Sequence, residues 1–175
     1  VCATIRLWGE GSLQTSDFLK CGIVVFIVQK RHDIASSGTD IYAMLLVFYI
    51  LIKWSEYCER GRKDGVMYGW LCLVGVYAAT VKLSAASVVI LALYPLYLFV
   101  KEKKGKAVFG HVAAGIFILL PWLIRNVIIS GYLVYPYGGL DLFNPDWKMD
   151  KAVLAEDSLD IKMFARGIRD AAAYD

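Results

Sequence analysis

Long uncharged stretches alternate with short clusters of charge along this chain, and the lengths of those stretches set the first expectation. Three of them, Gly65 to Val81, Leu83 to Val100 and Ala107 to Ile124, hold no Asp, Glu, Lys or Arg. At about 1.5 Å per residue, each approaches the length that crosses a hydrocarbon core roughly 30 Å thick. They predict membrane helices. A shorter run, Ile41 to Ile52, is followed by Lys53, Trp54 and Tyr57, where a snorkelling lysine and interfacial aromatics extend it to a span. The run Cys21 to Val28 is too short to cross as a helix, and beside Asp17, Lys20 and Lys30 it suits either a surface segment or the end of a longer span.

The charged clusters orient these spans, because short cytoplasmic loops collect Lys and Arg. Lys53, Arg60, Arg62 and Lys63 follow the first span, and "KEKKGK" from Lys101 to Lys106 follows the third, so both loops belong inside. The "SSGTD" stretch ending at Asp40, the "VKLSAAS" turn around Lys82 and residues 126–175 then lie outside. The tail first shows turn chemistry in "YPYGG" and "NPDW". In "DSLDIKMFARGIRDAAAY", Leu159, Ile161, Phe164, Ala165 and Ile168 then recur at helical spacing. The expected fold is an all-α integral membrane helical bundle of about four spans, followed by an outer loop and an amphipathic helix. Residues 1–35 form an incomplete N-terminal surface or span-end segment, 36–130 the transmembrane region and 131–175 the extracytoplasmic part. The chain begins with Val1, shows no secretory signal and stops at Asp175 without a terminating feature, so it reads as an internal fragment.

Composition agrees with a membrane location. Hydrophobic residues make up 58% of the chain and mean hydropathy is +0.53, against roughly 45 to 50% apolar residues in soluble domains. The net charge of +3 is divided unevenly, with residues 1–140 basic and residues 141–175 acidic on balance. Cys2, Cys21, Cys58 and Cys72 show no C-x-x-C spacing and lie in or beside apolar stretches, where a free cysteine acts as a small hydrophobe.

Several polar residues stand out against this background, each with a functional and a structural reading. Arg125 and Asn126, after Pro121 and Trp122, suit a lipid phosphate held by a planar guanidinium, or a snorkelling anchor in an aromatic belt. Lys82 between two apolar runs needs a carboxylate, a headgroup or an aqueous cavity, unless it is simply the turn. Asp40 suits a helix N-cap, and His111 suits a hydrogen bond within helix packing. Asp141, Asp146 and Trp147 suit a sugar or other polar ligand, although turn-forming residues also explain them. No phosphate-binding glycine loop, Ser/His/Asp grouping, Cys/His metal set or aromatic-laced basic surface is present, so no cofactor, metal or nucleic-acid partner is expected.

Taken in order, "SSGTD" opening a span, "ATVKLSA" closing the next and "LPWLIRNVIISGYLVYP" leaving the last resemble polytopic glycosyltransferases of the GT-C type. These include mannosyltransferase and aminoarabinose-transferase-like enzymes. The resemblance covers about Ser36 to Met149. It implies a bacterial inner-membrane enzyme that moves a sugar from a polyprenyl-phosphate donor to an envelope glycan or lipid acceptor. On this reading Lys82, Arg125 and Asn126 meet the lipid phosphate, and Asp40, Asp141, Asp146 and Trp147 face substrate. It also implies that the catalytic acid lies upstream, in a first outer loop. A transporter or flippase lined by Lys82 and Arg125 is the alternative, and a non-catalytic membrane assembly protein is a third reading.

Overall fold

The computed structural model describes residues 14–31, 39–61 and 63–166. Cys2, the turn residues Ser36 to Gly38, Arg62 and Ile168 lie outside the described residues. Among the described residues the named elements are all helices, with no strand. Helix α1 is Thr15–Gln29, α2 Thr39–Glu59 and α3 Gly65–Val81. A 3-10 helix, Leu83–Ala92, runs directly into α4, Leu93–Lys101, and is followed by α5, Gly105–Ser130, and α6, Lys151–Arg166. The chain divides into two compact units, Val1–Leu119 and Leu120–Asp175.

Three segments are long and apolar enough to cross a membrane: Asp40–Glu59, Leu83–Lys101 and Gly105–Ser130. The run Ile41 to Ile52 therefore belongs to a full-length candidate, whereas Gly65–Val81, with 17 residues, is the shorter apolar helix. The Leu83–Lys101 segment reaches spanning length by an unusual route, since 3-10 runs rarely exceed 3 to 4 residues. Ten residues at about 2.0 Å and nine at about 1.5 Å give about 33 Å, more than 19 α-helical residues would cover. After Ser130, the described residues hold no helix long and apolar enough to cross.

In the first unit, small residues let the helices approach closely. Ala43 of α2, Ala78 of α3 and Ala85 of the 3-10 helix form a buried cluster with Leu46, Val47 and Val81 around it. This small-residue seam is the kind that packs helices where lipid supplies no hydrophobic drive. Toward the other end, Tyr68 is 1% exposed and receives Trp54, Tyr57 and Tyr94 in edge-on contacts 4.7 to 5.6 Å between ring centroids. Trp54 and Tyr57 are half-buried against Tyr68.

The segment Cys21 to Val28 is part of helix α1. This helix runs antiparallel along α2: Ser16 meets Glu59, Lys20 meets Glu56 at 2.9 Å, and Phe26 meets Phe48 at 5.5 Å. The Glu59 carboxylate accepts the Ser16 backbone N–H at 2.7 Å and its hydroxyl at 2.6 Å, so a side chain 43 residues away satisfies a donor of the α1 first turn. Lys53 joins Glu56 at 3.0 Å. The hydrogen bond with Glu56 holds the Lys20 ammonium above its ordinary pKa.

His111 of α5 packs as a helix-contact residue. Its Nδ1 lies 2.8 Å from the Ala107 carbonyl and its ring lies 5.1 Å from that of Phe99. A Cβ on Gly69 of α3 would stand 2.5 Å from the imidazole, so glycine is what allows this approach. Gly69→Ala should therefore lower the thermal unfolding midpoint in detergent, by the equivalent of about 1–3 kcal/mol of overpacking. Adding His111→Ala should restore much of the loss, a non-additivity that a double-mutant cycle reads directly.

Candidate functional site

At the end of the first unit away from Lys53 and the Lys101–Lys106 loop, α3 stops at Val81 and Lys82 takes an extended conformation. The Lys82 N–H closes α3 on the Ala78 carbonyl at 3.0 Å, and its carbonyl accepts the Ala85 N–H at 2.9 Å to start the 3-10 helix. This single-residue joint puts the side chain at the mouth of a groove of about 390 Å³ between α2 and the 3-10 helix. Val47, Phe48 and Leu51 form its apolar wall, and Ser84 and Ser87 lie on the opposite side.

Lys82 Nζ lies 2.6 Å from Asp40 Oδ1, so two residues singled out in the sequence meet here. Asp40 is not the N-cap expected of it: α2 begins one residue earlier, at Thr39, and the Asp40 carboxylate is occupied by Lys82 from within the first turn. An acid in that turn still complements the helix dipole. The side chains of Asp40 and Lys82 remain 60% and 37% exposed. Such pairs contribute only about 0–1 kcal/mol, so the lysine can exchange its partner at little cost.

The second unit holds the other candidates. Helix α5 continues through Pro121 and Arg125 to Ser130, so Arg125 sits five residues inside the helix end rather than at it. Membrane helices accommodate an internal proline because neighbouring groups satisfy the freed carbonyl. Arg125 is exposed, and five residues, about 7.5 Å, is a distance its side chain can snorkel. Asn126 is committed to structure: its amide donates to the Leu133 carbonyl at 3.3 Å, and its carbonyl accepts the Ser130 hydroxyl at 2.8 Å.

Residues 131–150 form an ordered loop without regular structure. Gly131 ends α5 with φ +79°, a left-handed conformation suited to glycine, and a Cβ there would meet the Lys148 backbone at 3.1 Å. Tyr132, 1% exposed, donates its hydroxyl to the Met149 carbonyl at 3.2 Å. Lys148, which the sequence reading passed over, is the hub. Its ammonium pairs with Asp141, donates to the Phe143 carbonyl at 2.6 Å and stands 4.9 Å above the Tyr132 ring. Lys151 adds a second contact to Asp141 at 3.4 Å. Asp141 is thus a structural acid in this conformation, and the lysines hold its carboxyl below the ordinary range. Trp147 Nε1 donates to the Ile128 carbonyl at 3.1 Å while its ring stays 65% exposed, and Asp146 is exposed beside it.

Helix α6 starts at Lys151, six residues before Asp157, with Asp150 accepting the Ala152 N–H at 3.1 Å as a cap. Among its described side chains Leu154 and Met163 are buried, whereas Ile161, expected on the apolar face, is 55% exposed; Phe164 and Ala165 of that expected face lie outside the described side chains. Leu154 sets that face by packing over Gly138, a contact that spacing within the helix could not reveal. Asp157 accepts a hydrogen bond from the Tyr135 hydroxyl, which ties α6 to the loop and raises the Tyr135 pKa.

The Lys148–Asp141 contact carries a pH signature. Because the folded pKa of Asp141 is depressed, its contribution is present at neutral pH, persists below the usual carboxylate pKa of about 3.9, and disappears as pH falls through the folded value. Lys148→Met should open residues 131–150 to limited proteolysis at neutral pH. The unsubstituted chain should open in this way only under more acidic conditions.

No group of three or more His, Cys, Asp or Glu that could hold a metal occurs among the described residues. No curated protein and no solved structure matches the chain. A family profile described as a domain of unknown function, DUF8201, matches residues 1–175, and the chain belongs to that family.

Proposed function

We propose that the chain is part of a GT-C type membrane glycosyltransferase that moves a sugar from a polyprenyl-phosphate donor to an envelope glycan or lipid acceptor. The observation that carries this reading is the Lys82–Asp40 pair at the mouth of an apolar-walled groove. A polyprenyl-phosphate sugar has the matching division: a charged phosphate for Lys82, and an isoprenoid chain for Val47, Phe48 and Leu51. In the reaction an acceptor hydroxyl attacks the anomeric carbon, its proton passes to a carboxylate base, and the bond from sugar to phosphate oxygen breaks. The leaving polyprenyl phosphate keeps the electron pair, and Lys82 stabilises the charge that grows there. Asp40 holds the ammonium in place until the phosphate arrives.

The chain forms four spans in the bacterial inner membrane, with α3 as the fourth, and the Lys82 end faces outward because the Lys53 and Lys101–Lys106 end is basic. Cys58 and a cysteine introduced at Gly105 should therefore resist an impermeant thiol reagent in intact cells and react after permeabilisation. Labelling of both in intact cells would invert the topology.

In the full-length enzyme, Lys82→Ala should lower kcat by roughly a hundredfold, the usual scale for one electrostatic stabiliser of a developing charge. Asp40→Asn should mainly raise the donor KM or leave it unchanged. Arg125→Lys keeps the charge and loses the planar fork, so impaired transfer by that variant at normal expression would separate a phosphate ligand from a snorkelling anchor. Unchanged turnover in Lys82→Ala would sink the assignment.

A further inference from the structure

A second cavity lies in the first unit, at the basic end of the bundle. It measures about 280 Å³ and is bounded by α3, the junction of the 3-10 helix with α4, and α5. Along α5 it extends from Val108 to Leu119, about 16 Å of helix, and its walls are almost wholly apolar. Ala92 and Gly115 give it depth, since each presents at most a methyl group to its wall. A Cβ on Gly115 would meet only Leu73 Cδ2, at 3.8 Å, so that glycine is not required by close backbone approach.

Charge surrounds only one end of this cavity. Val108 lies two residues from Lys106 and Phe99 two residues from Lys101, so the exposed Lys101–Lys106 loop, with four lysines and one glutamate, adjoins that end. Lys104 pairs with Glu102 at 2.7 Å and is also within electrostatic reach of Asp64, while Lys101 lies 6.0 Å from the Tyr97 ring. Lys103 and Lys106 add two further exposed cations.

From the apolar slot and the cationic rim together, we infer that this cavity binds one anionic glycerophospholipid from the leaflet next to the basic loops. One of its acyl chains lies between α3 and α5, and its phosphate headgroup rests on the Lys101–Lys106 loop. Charge complementarity selects this occupant: an apolar protein segment matches the slot and gains nothing from the lysines, and a zwitterionic lipid loses most of the electrostatic attraction. The inference is independent of the glycosyltransferase reading, whose donor groove lies at the opposite end of the bundle.

The test is native mass spectrometry of the full chain released from mixed micelles of phosphatidylglycerol and phosphatidylcholine, supported by thermal shifts with each lipid alone. One phosphatidylglycerol should stay bound, with a preference of roughly tenfold or more over phosphatidylcholine. The exposed triple variant Lys103→Gln/Lys104→Gln/Lys106→Gln should keep its fold and lose the preference. Gly115→Leu should reduce retention of both lipids by filling the slot, and Ile116→Trp, at a half-exposed lining position, provides a second filling variant if the first does not fold. Equal retention of the two lipids by the unsubstituted chain would overturn the inference. So would a phosphatidylglycerol preference that survives cavity filling, which would show attraction at the loop surface alone, or occupation of the slot by another segment of the protein.

Discussion

Hydrocarbon offers no hydrogen-bond partner, and that constraint shapes the rest of this chain. Every amide within a span must bond inside its own segment, which is why the apolar runs are continuous helix. Even Leu83–Ala92, rich in β-branched residues, satisfies its backbone by a 3-10 pattern rather than opening into a loop. The same constraint moves charge to the helix ends. In the first unit the described ends differ in chemistry: paired glutamates and lysines with two basic loops at one, and the Lys82–Asp40 pair at the other.

With polar groups excluded from the middle, packing there depends on shape. The Ala43, Ala78 and Ala85 seam and the Gly69–His111 contact bring backbones together where lipid competes equally well for bulky apolar side chains. The cost of such close contact is that the bundle cannot be filled evenly. Where glycine and alanine line a wall, as at Gly115 and Ala92, space remains. The groove beside Lys82 and the slot beside α5 both have such small residues in their walls.

What could be read from the sequence follows the same division. The positions of α2, α3, the Leu83–Lys101 segment and α5 were legible because each contains a long run without charged residues. Lys82 and Asp40 were legible as residues of interest, since each interrupts or borders such a run, but their contact was not, because nothing local links positions 42 apart. The Ser16–Glu59 bond was hidden for that reason, and α1 could not be placed without it. Lys148 was missed because a lysine in a polar loop resembles a solvated one until Asp141, Phe143 and Tyr132 converge on it. The roles of Asp141 and Asn126 also changed once their partners were visible, each holding the loop in this conformation.

The two polar ends differ in how firmly their charges are held, and that difference bears on function. Glu59 accepts three hydrogen bonds, from the Ser16 N–H and hydroxyl and from the Ser55 hydroxyl, so releasing it would strand several donors at once. Lys82 and Asp40 share one contact, with Asp40 largely open to solvent and Lys82 partly so. A ligand anion can replace Asp40 on Lys82 without leaving a buried group unpaired, because the displaced carboxylate is already exposed. The rigid network suits anchoring α1 to α2. In the loosely held pair beside an apolar groove a charge can change partners cheaply, which is what reversible binding of an amphiphilic phosphate requires.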